Sequence, residues 1–437
     1  MTNIIIRQGL VVGATTSMLA DVLVVNGVIA EVGVNIKAPS GAREIDATGC
    51  WIGPGFVDLH THLRDPGREE AENIESGARA GALGGYTALV AMPNTEPPLD
   101  NAALVAYVLD RGARTPLDIA VAGAITQGRR GETLAPLAEM AALGVRLFTD
   151  DGVGVQDPSL MRRALTYAKP LHVTLAQHCE DELLAAQGTM NEGLLSSQMG
   201  LVGRPALAEE LMVMRDIELV RLTGASMHFL HLSTARSVAF VVGARQEGLA
   251  VTCEVAPHHI SLDESMCATF DPLFKVHPPL RRARDVEALR VALREGAIDA
   301  VATDHAPHAA ELKDLPFAEA PAGMLGLEHC GALTFEALGI ESCSPTRFFD
   351  VMSRAPARIA QLRAADRRVR HSAHGGDVIA GEDANLVVFD PTSSWVVDRN
   401  VLASRSTNTP YDGRTLRGRV QFTIAKGHLV VDGGVLA

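Results

Sequence analysis

The amino-acid sequence predicts an α/β fold: a closed (β/α)8 TIM-like barrel with a small β domain built from both chain termini. Eight short apolar runs alternate with stretches of helical spacing, which is the pattern of such a barrel. Histidine or aspartate stands at the ends of five of those runs. Both ends of the chain consist of strand-like runs and turns, which indicates the additional β domain. A chain of 437 residues can bury one large core and a smaller one.

The two terminal segments, residues 1–53 and 368–437, are predicted to be the two parts of one β-sandwich domain. In the first part, apolar runs flank Asn26-Gly27, a dipeptide that favours a two-residue hairpin turn. In the second part, residues 385–390 and 420–424 have the composition of strands. Two unrelated appendages are the alternative, but the similar composition of the two ends favours a single domain.

Residues 54–367 are predicted to form the barrel. A doubly wound open sheet is the structural alternative, although no G-x-G-x-x-G motif follows the first strand. Helical spacing is clearest after Pro205, where apolar residues recur at steps of four and three: Leu207, Leu211, Met214 and Ile217. The predicted strands are residues 56–60, 87–92, 118–125, 146–149, 172–178, 227–231, 251–255 and 300–303.

The composition argues against several classes of protein. A formal net charge of −13 disfavours binding to nucleic acid or to an anionic membrane, because both demand basic surfaces. No apolar stretch is long enough to span a bilayer, and the N-terminus lacks the segments of a signal peptide. The six cysteines include no C-x-x-C pair, which is typical of reduced thiols. We therefore expect a cytoplasmic protein.

The most informative motif is His60-Thr61-His62, which follows an apolar run. Residues i and i+2 of a strand face the same side, so the two imidazoles point to one place. Alone, such a pair could equally be two hydrogen-bonded loop histidines. Four further predicted strands also end in metal-ligating residues, and a barrel gathers its strand ends at one face. These residues are Asp150 and Asp151, His178, His231, and Asp304 with His305 and His308.

Even four of these histidines and two of these carboxylates are too many ligands for a single tetrahedral zinc ion. They fit two metal ions about 3.5–4 Å apart that share a bridging group. Such a pair polarises a carbonyl and acidifies a bridging water, while a nearby carboxylate passes the proton of that water to a leaving nitrogen. The pattern therefore predicts hydrolysis of an amide.

Three stretches of the chain resemble signatures of the amidohydrolase superfamily, and within it those of the bacterial type I dihydroorotases. They are residues 55–67 (GFVDLHTHLRDPG), 91–95 (AMPNT) and 303–308 (TDHAPH). The similarity covers nearly the whole chain. It implies a metal-dependent hydrolase barrel and a cytoplasmic enzyme of pyrimidine biosynthesis that uses two Zn²⁺ per chain.

The resemblance further implies that the two zinc sites share a bridging carboxylate from the fourth strand. Many relatives use a carboxylated lysine as the bridge, but the matching residues 148–154 (FTDDGVG) contain no lysine. The type I group has an aspartate there, and the match favours Asp151 over Asp150. The catalytic acid–base would be Asp304. The other ligands would be His60 and His62, with Asp304, at one ion and His178 and His231 at the second.

The substrate implied by the resemblance is a six-membered cyclic ureide that carries a carboxylate. Arg64 can clamp a carboxylate through two hydrogen bonds, although an ion pair with Asp65, Glu69 or Glu70 is the simpler alternative. The segment 313–324 is predicted to cover the active face as a long loop. The family commonly has asparagine where this chain has a histidine before Pro-Pro. The residues expected to contact substrate are Arg64, Asn94, His277, His308, Ala322 and Gly323.

The activity implied is that of a dihydroorotase, the reversible cyclisation of N-carbamoyl-L-aspartate to L-dihydroorotate by a metal-bridging hydroxide. One alternative is another cyclic-amide hydrolase, similar to allantoinase or dihydropyrimidinase. A second is a non-catalytic scaffold for aspartate transcarbamoylase. The aspartate bridge and the pair Arg64 and Asn94 favour dihydroorotase, and the complete ligand set disfavours the scaffold. We expect a homodimer, and a complex with aspartate transcarbamoylase is compatible with this interpretation.

Overall fold

The computed structural model describes residues 3–364 and 371–437. The N-terminal segment forms strands of the outer sheet, and the hairpin of its second and third strands has the predicted turn. Asn26 and Gly27 have φ angles of 51° and 84°, both positive as a type I′ turn requires. The strands are β1 (Ile4–Val12), β2 (Ser17–Val25), β3 (Val28–Gly33), β4 (Arg43–Asp46) and β5 (Trp51–Pro54).

Eight parallel strands form the barrel in chain order, and each lies within or overlaps one of the predicted runs. A bridge between Thr61 and His305 joins the first strand to the end of the last, which nearly closes the barrel. The predicted (β/α)8 barrel is therefore confirmed. A separate two-stranded sheet, β11 (Met190–Asn191) and β12 (Gly203–Arg204), lies between the fifth and sixth barrel strands in the chain. The barrel strands are β6 (Phe56–Thr61), β7 (Tyr86–Ala91), β8 (Asp118–Gly123), β9 (Leu147–Phe148), β10 (Thr174–Gln177), β13 (Met227–Phe229), β14 (Val251–Val255) and β15 (Ala300–Val301).

The C-terminal strands complete a nine-stranded sheet with those of the N-terminus, because β5 pairs with the first of them in antiparallel fashion. Both chain ends therefore contribute to one sheet, as predicted. The proposed boundary at 53/54 falls within β5, and the boundary at 367/368 lies outside the described residues. The exact domain limits stay a prediction. The C-terminal strands are β16 (Leu386–Val396), β17 (Thr415–Ala425), β18 (His428–Asp432) and β19 (Val435–Leu436).

The helices pack around the barrel. The predicted helix after Pro205 is present, but only one of the four apolar residues that predicted it is buried. Ile217 is 6% exposed, whereas Leu207 and Met214 are 42% and 43% exposed and Leu211 is partly exposed. The helices are α1 (Ile74–Leu83), α2 (Ala102–Gly112), α3 (Leu137–Ala142), α4 (Pro158–Ala168), α5 (Glu182–Ala185), α6 (Leu194–Met199), α7 (Ala206–Thr223), α8 (Ala235–Gln246), α9 (Ala283–Arg294), α10 (Ala310–Lys313), α11 (Cys330–Leu338), α12 (Pro345–Phe349) and α13 (Ala355–Ile359).

The outer sheet and the barrel share one continuous apolar core. Phe389 of β16 stacks at 4.8 Å between ring centroids on Phe348 of α12, which in turn meets Phe56 of β6 edge-on at 5.5 Å. All three rings are fully buried. Aromatic pairs of this geometry add to the free energy of burial itself. Within residues 3–364 and 371–437, none of the helices combines the length and apolar character needed to cross a bilayer.

Candidate active site

Side chains from the carboxyl ends of the barrel strands surround the carboxylate of Asp151. Its Oδ1 lies 3.3 Å from Nε2 of His60 and 3.5 Å from both Nδ1 of His178 and Nε2 of His231. Its Oδ2 lies 3.6 Å from Nε2 of His62. One carboxylate therefore stands between two pairs of imidazoles, which is the arrangement expected of a bridging ligand.

These side chains form two groups that could each hold a metal ion, and both groups include Asp151. Nε2 of His60 and Oδ1 of Asp151 are buried and have no hydrogen-bond partner, although they face each other. Buried polar atoms normally have a partner. Unpaired imidazole nitrogens beside a carboxylate are a donor set for zinc and similar divalent metals, so the residues fit metal binding. The groups are His60, His62 and Asp151, and Asp151, His178 and His231.

Asp304 adjoins the first group, as the sequence predicted. Its Oδ1 lies 3.2 Å from Nε2 of His62 and 3.6 Å from Nε2 of His60. On the other side, its Oδ2 lies 3.8 Å from Nε2 of His258, which has no hydrogen-bond partner. The carboxylate can therefore contact both the imidazole cluster and a group in the cavity above it.

Asp150 points away from the cluster. Its carboxylate accepts hydrogen bonds from the backbone N–H groups of Ile125 and Thr126, at 2.9 and 3.1 Å, and from the Thr126 hydroxyl. The neighbouring Asp151 faces the imidazoles. The structure thus orients the two aspartates in opposite directions, as alternation along an extended chain requires. Asp150 instead fixes the loop after β8.

Three residues of the site have positive φ angles that non-glycine residues rarely adopt: Arg64 at 60°, His231 at 29° and Asp304 at 45°. Such conformations cost free energy and persist where the surrounding structure imposes them, which is common in functional sites. Each of these residues lies two or three positions after the end of a barrel strand. The unusual backbone turns the side chain over the mouth of the barrel.

Glu254 is a supporting residue that sequence reasoning missed. Its two oxygens lie 3.2 Å from Nδ1 of His60 and 3.0 Å from Nε2 of His228. A carboxylate on the far nitrogen of a ligating histidine fixes its tautomer and orientation. The only signal in the sequence is a charged residue within the otherwise apolar strand β14.

Asp58 was missed for the same reason, since it lies within the apolar strand β6. Its carboxylate accepts hydrogen bonds from the backbone N–H of Thr303, at 2.8 Å, and from the hydroxyls of Thr303 and Thr61. These bonds join the first and last strands directly beneath Asp304. Asp58 therefore holds the two halves of the candidate ligand group together.

The charges of the cluster are strongly coupled. Burial opposes protonation of His60, but the carboxylates of Asp151 and Glu254 outweigh it and raise its pKa. Burial likewise disfavours the ionised form of Asp304, but the hydrogen bond from His62 and the charge of His60 lower its pKa overall. The carboxylates are therefore ionised at neutral pH. A metal ion would displace the proton of His60, because ligation needs the neutral imidazole.

A cavity of about 250 Å³ opens above the cluster. Apart from the fully buried His60, all the predicted site residues line it. A larger cavity of about 810 Å³ lies beside α1 and β16, but among the described residues it holds neither metal-ligating group. The residues lining the smaller cavity are His62, Arg64, Asn94, Asp151, Gly152, His178, His231, His277, Asp304, Ala306, His308, Ala322 and Gly323.

Arg64 is a buried cation of this cavity, with 8% of its surface exposed. Its Nε–H donates to the Pro307 carbonyl at 3.2 Å, and it forms no ion pair with any of the described residues. The alternative of a pair with Asp65 is wrong, since that carboxylate accepts the Tyr107 hydroxyl at 2.9 Å. Burial lowers the pKa of Arg64 to about 10, so it keeps its charge at neutral pH. An unpaired buried guanidinium is suited to binding an anion.

Asn94 also lines the cavity, but it contacts the imidazole cluster. Nδ1 of His62 lies 2.8 Å from its Oδ1, and its Nδ2–H donates to Oδ2 of Asp151 at 3.3 Å. The same amide therefore orients two candidate metal ligands. The sequence predicted a place for Asn94 near the substrate without indicating these contacts.

His308 donates from Nε2 to the Ala322 carbonyl at 2.8 Å, so its proton is engaged within the protein. Burial and the charge of Arg64 lower its pKa to about 2, which keeps the imidazole neutral. Gly323 has a φ of 131°, and a Cβ there would lie 2.6 Å from the Cβ of Ala306. Glycine is therefore required at this close approach.

His277 presents a buried Nε2 without a hydrogen-bond partner at the cavity. Burial lowers its pKa to about 3, so it is a neutral imidazole at physiological pH. His305 has a supporting role: its Nε2 lies 3.2 Å from Oε2 of Glu72, and its Nδ1 accepts the Gly326 N–H at 3.2 Å. His305 therefore links the segment after β15 to Glu72 and to the backbone at Gly326.

Comparison with known proteins identifies the family. The family model described as Dihydro-orotase-like matches residues 49–237. A dihydroorotase from Mycobacterium tuberculosis is 44% identical over 418 residues, which are 95% of each chain. A dihydroorotase from Pelobacter propionicus is 39% identical over 98% of this chain and 99% of its own.

Solved structures support the same fold. A dihydropyrimidinase from Brevibacillus agri superposes with a TM-score of 0.85 and 25% identity, over 100% of this chain and 96% of its own. An L-hydantoinase from Arthrobacter aurescens gives a TM-score of 0.87 at 23% identity, over 100% and 98% of the two chains. With the site geometry and the curated relatives, these results show that the chain belongs to the dihydroorotase family.

Proposed function

We propose that this chain is a binuclear zinc dihydroorotase that interconverts N-carbamoyl-L-aspartate and L-dihydroorotate. The observation that carries the proposal is the position of Asp151 between four imidazoles, beneath a cavity that contains an unpaired buried arginine. The imidazoles and carboxylates account for the hydrolytic chemistry. The arginine accounts for a substrate that carries a carboxylate.

In this proposal His60, His62 and Asp304 would hold one zinc ion, His178 and His231 would hold the other, and Asp151 would be a ligand shared by both. The two ions would supply Lewis-acid polarisation of the amide carbonyl and would lower the pKa of water. Protein groups set the geometry: Glu254 orients His60, and Asn94 orients His62.

Asp304 is the proposed general base and acid. It accepts a proton from the water whose oxygen attacks the ring carbonyl, and it returns that proton to the amide nitrogen as the carbon–nitrogen bond breaks. Ring closure follows the same steps in reverse. Arg64 holds the substrate carboxylate, and the loop carrying Ala322 and Gly323 faces the ring.

Measurement of metal content and substrate range together tests the proposal. Purified protein kept away from chelators should contain two zinc equivalents per chain and hydrolyse dihydroorotate. It should hydrolyse dihydrouracil and allantoin far more slowly, since neither carries the ring carboxylate. A single metal equivalent would rule out the two-metal site. Comparable rates on all three compounds would favour a general cyclic-amide hydrolase, the reaction class of the dihydropyrimidinase that shares this fold.

The assembly is a separate proposal. From the family resemblance we propose a homodimer, and association with aspartate transcarbamoylase remains a prediction. Light scattering of the purified chain, alone and mixed with that partner, tests both. If the chain alone turns over dihydroorotate, it is not a non-catalytic scaffold.

A further inference from the structure

The segment between β16 and β17 reaches the active face of the barrel, far in sequence from the residues it meets there. Asn408 lies in this segment and is 3% exposed. Its Oδ1 accepts the backbone N–H of His308 at 3.1 Å. Its Nδ2 donates to the carbonyls of Ala306 and Gly323, at 3.0 and 3.3 Å. The side chain thus uses both donors of its amide and one lone pair of its oxygen.

These bonds add to the direct contacts between two walls of the cavity, which are the bond from His308 Nε2 to the Ala322 carbonyl and the bond from the Ala306 N–H to the Met324 carbonyl at 2.9 Å. One wall is residues 306–308, which follow strand β15, and the other is residues 322–325. The backbone carbonyl of Asn408 also accepts the N–H of Leu325 at 3.2 Å. Ala306, His308 and Gly323 line the cavity, whereas Asn408 does not.

The neighbours of Asn408 fix its segment in place. The Ser406 hydroxyl donates to the Ala71 carbonyl at 2.7 Å, and the Thr409 hydroxyl lies 3.0 Å from Nε2 of His329. The Tyr411 hydroxyl lies 2.8 Å from Oγ of Ser261. A side chain held on both sides by buried contacts can act as a rigid support.

We infer that Asn408 is a positioning residue for the substrate, supplied by the C-terminal part of the chain, which holds the two cavity walls in a fixed geometry from behind. The inference rests on the proposed function for the identity of the substrate. A group that supports binding surfaces in their productive geometry changes affinity and rate without touching the reacting atoms.

Replacement of Asn408 by alanine removes all three side-chain bonds. Asn408→Asp keeps the acceptor for His308 but sets a carboxylate oxygen against the carbonyls of Ala306 and Gly323. We expect KM for dihydroorotate to rise by roughly tenfold in Asn408→Ala and further in Asn408→Asp, because each lost bond is worth about a factor of several. We expect a smaller change in kcat and no change in zinc content, since no candidate metal ligand contacts Asn408.

Two matched variants separate positioning from a loss of stability. Ser406→Ala removes an anchor of the same segment without touching a cavity wall, and Thr407→Ala changes an exposed neighbour. Both should raise KM far less than Asn408→Ala does, even if Ser406→Ala lowers the melting temperature as much. An equal rise of KM in Ser406→Ala would overturn the inference.

Hydrogen exchange supplies a readout that does not depend on activity. The amide of His308 should exchange faster in Asn408→Ala than in the wild type, and Ser406→Ala should not show this difference. Unchanged exchange and unchanged KM in Asn408→Ala would overturn the inference. If the wild type fails to turn over dihydroorotate while exchange at His308 still accelerates, the proposed function fails and the structural tie is supported.

Discussion

Asp151 and Asp150 are adjacent in sequence but have opposite surroundings, so their substitutions should have different effects. Asp151→Asn removes the charge between four imidazoles, and we expect loss of at least one of the two zinc equivalents and of nearly all activity. Asp150→Asn should keep both metals but lower stability by about 1–3 kcal/mol, because two buried backbone N–H groups lose their charged acceptor. Elemental analysis and thermal unfolding measure the two effects; metal loss in the Asp150 variant alone would reverse the assignment.

Arg64 should decide the preference for a substrate with a carboxylate. A desolvated guanidinium–carboxylate pair is worth a few kcal/mol, so Arg64→Met should reduce kcat/KM for dihydroorotate by about a hundredfold. Arg64→Lys should recover only part, because an ammonium cannot form the two-bond fork. Zinc content should not change. If the rates on dihydroorotate, dihydrouracil and allantoin are all unchanged in Arg64→Met, the substrate carboxylate is bound elsewhere.

The sequence predicted which residues of the candidate site converge but not how they bond to each other. The strand ends brought His60, Asp151 and Asp304 together because barrel topology alone requires it. The hydrogen bonds of Asn94 and His308 depend on side-chain rotamers, which no spacing in the sequence specifies. Asn408 carried no signal at all, since its three partners lie 85 to 102 residues away along the chain.

The strand β14 contributes a supporting carboxylate rather than a metal ligand. Glu254→Gln should keep the shape of the side chain but weaken its hold on Nδ1 of His60. We expect the affinity for zinc to fall by about 10- to 100-fold, as is usual for groups that orient a ligating histidine. Metal titration of the apoprotein measures this. Glu247→Gln, in an exposed ion pair on α8, serves as the control and should bind zinc as the wild type does.

Sequence patterns predicted the existence of the elements better than their limits or their faces. Strand β14 coincides with its predicted run, but β9 and β15 are only two residues long, although four residues were predicted for each. In α7 the buried face includes Glu209 and Asp216, so an apolar stripe drawn through Leu207 and Met214 selected the wrong side. An apolar pattern does not identify the buried face of a helix where polar residues are buried and tertiary hydrogen bonds satisfy them. Glu209, for example, accepts the backbone N–H of Ser233.

Glu328 makes stability depend on pH in a defined window. It precedes α11 and accepts the N–H of Ala403 at 2.8 Å, and burial raises its pKa from 4.5 to about 7. Between pH 4.5 and about 7, Glu328 is protonated in the folded state but ionised in the unfolded state. The free energy of unfolding that this group contributes therefore decreases as pH rises through that window. Glu328→Gln lacks the titration. The melting temperature of the variant minus that of the wild type should increase as pH rises through that window and stay constant at higher pH. A difference that does not change with pH would contradict the assignment.

The sheet that unites the two chain ends is bound to the barrel by polar contacts at the end of the barrel opposite the active site. Asp118, at the start of β8, is the centre of these contacts and is 2% exposed. It accepts the Ser372 N–H at 2.8 Å, lies 2.9 Å from Nε2 of His374, and pairs with Nζ of Lys426 at 3.2 Å. The similar composition of the two ends predicted their union. It could not predict this attachment, which joins residues more than 250 positions apart.

Removal of the Asp118 carboxylate should therefore loosen the C-terminal part from the barrel. Burial alone would raise the pKa of Asp118, but His374 and Lys426 lower it overall. The ionised carboxylate therefore stabilises the fold at neutral pH. This contribution is lost only as pH falls below the unfolded pKa of 3.8. Asp118→Ala should cost about 3–5 kcal/mol, because the Ser372 N–H and the buried His374 imidazole lose their carboxylate partner. Arg221→Ala, which breaks an exposed ion pair with Glu247, should cost at most about 1 kcal/mol. Chemical denaturation of the zinc-loaded protein compares the two, and equal losses would show that Asp118 does not hold the sheet to the barrel.

KM should not change in folded Asp118→Ala, since the barrel separates Asp118 from the cavity. A raised KM would mean that the outer sheet influences the active face through this contact as well as through Asn408.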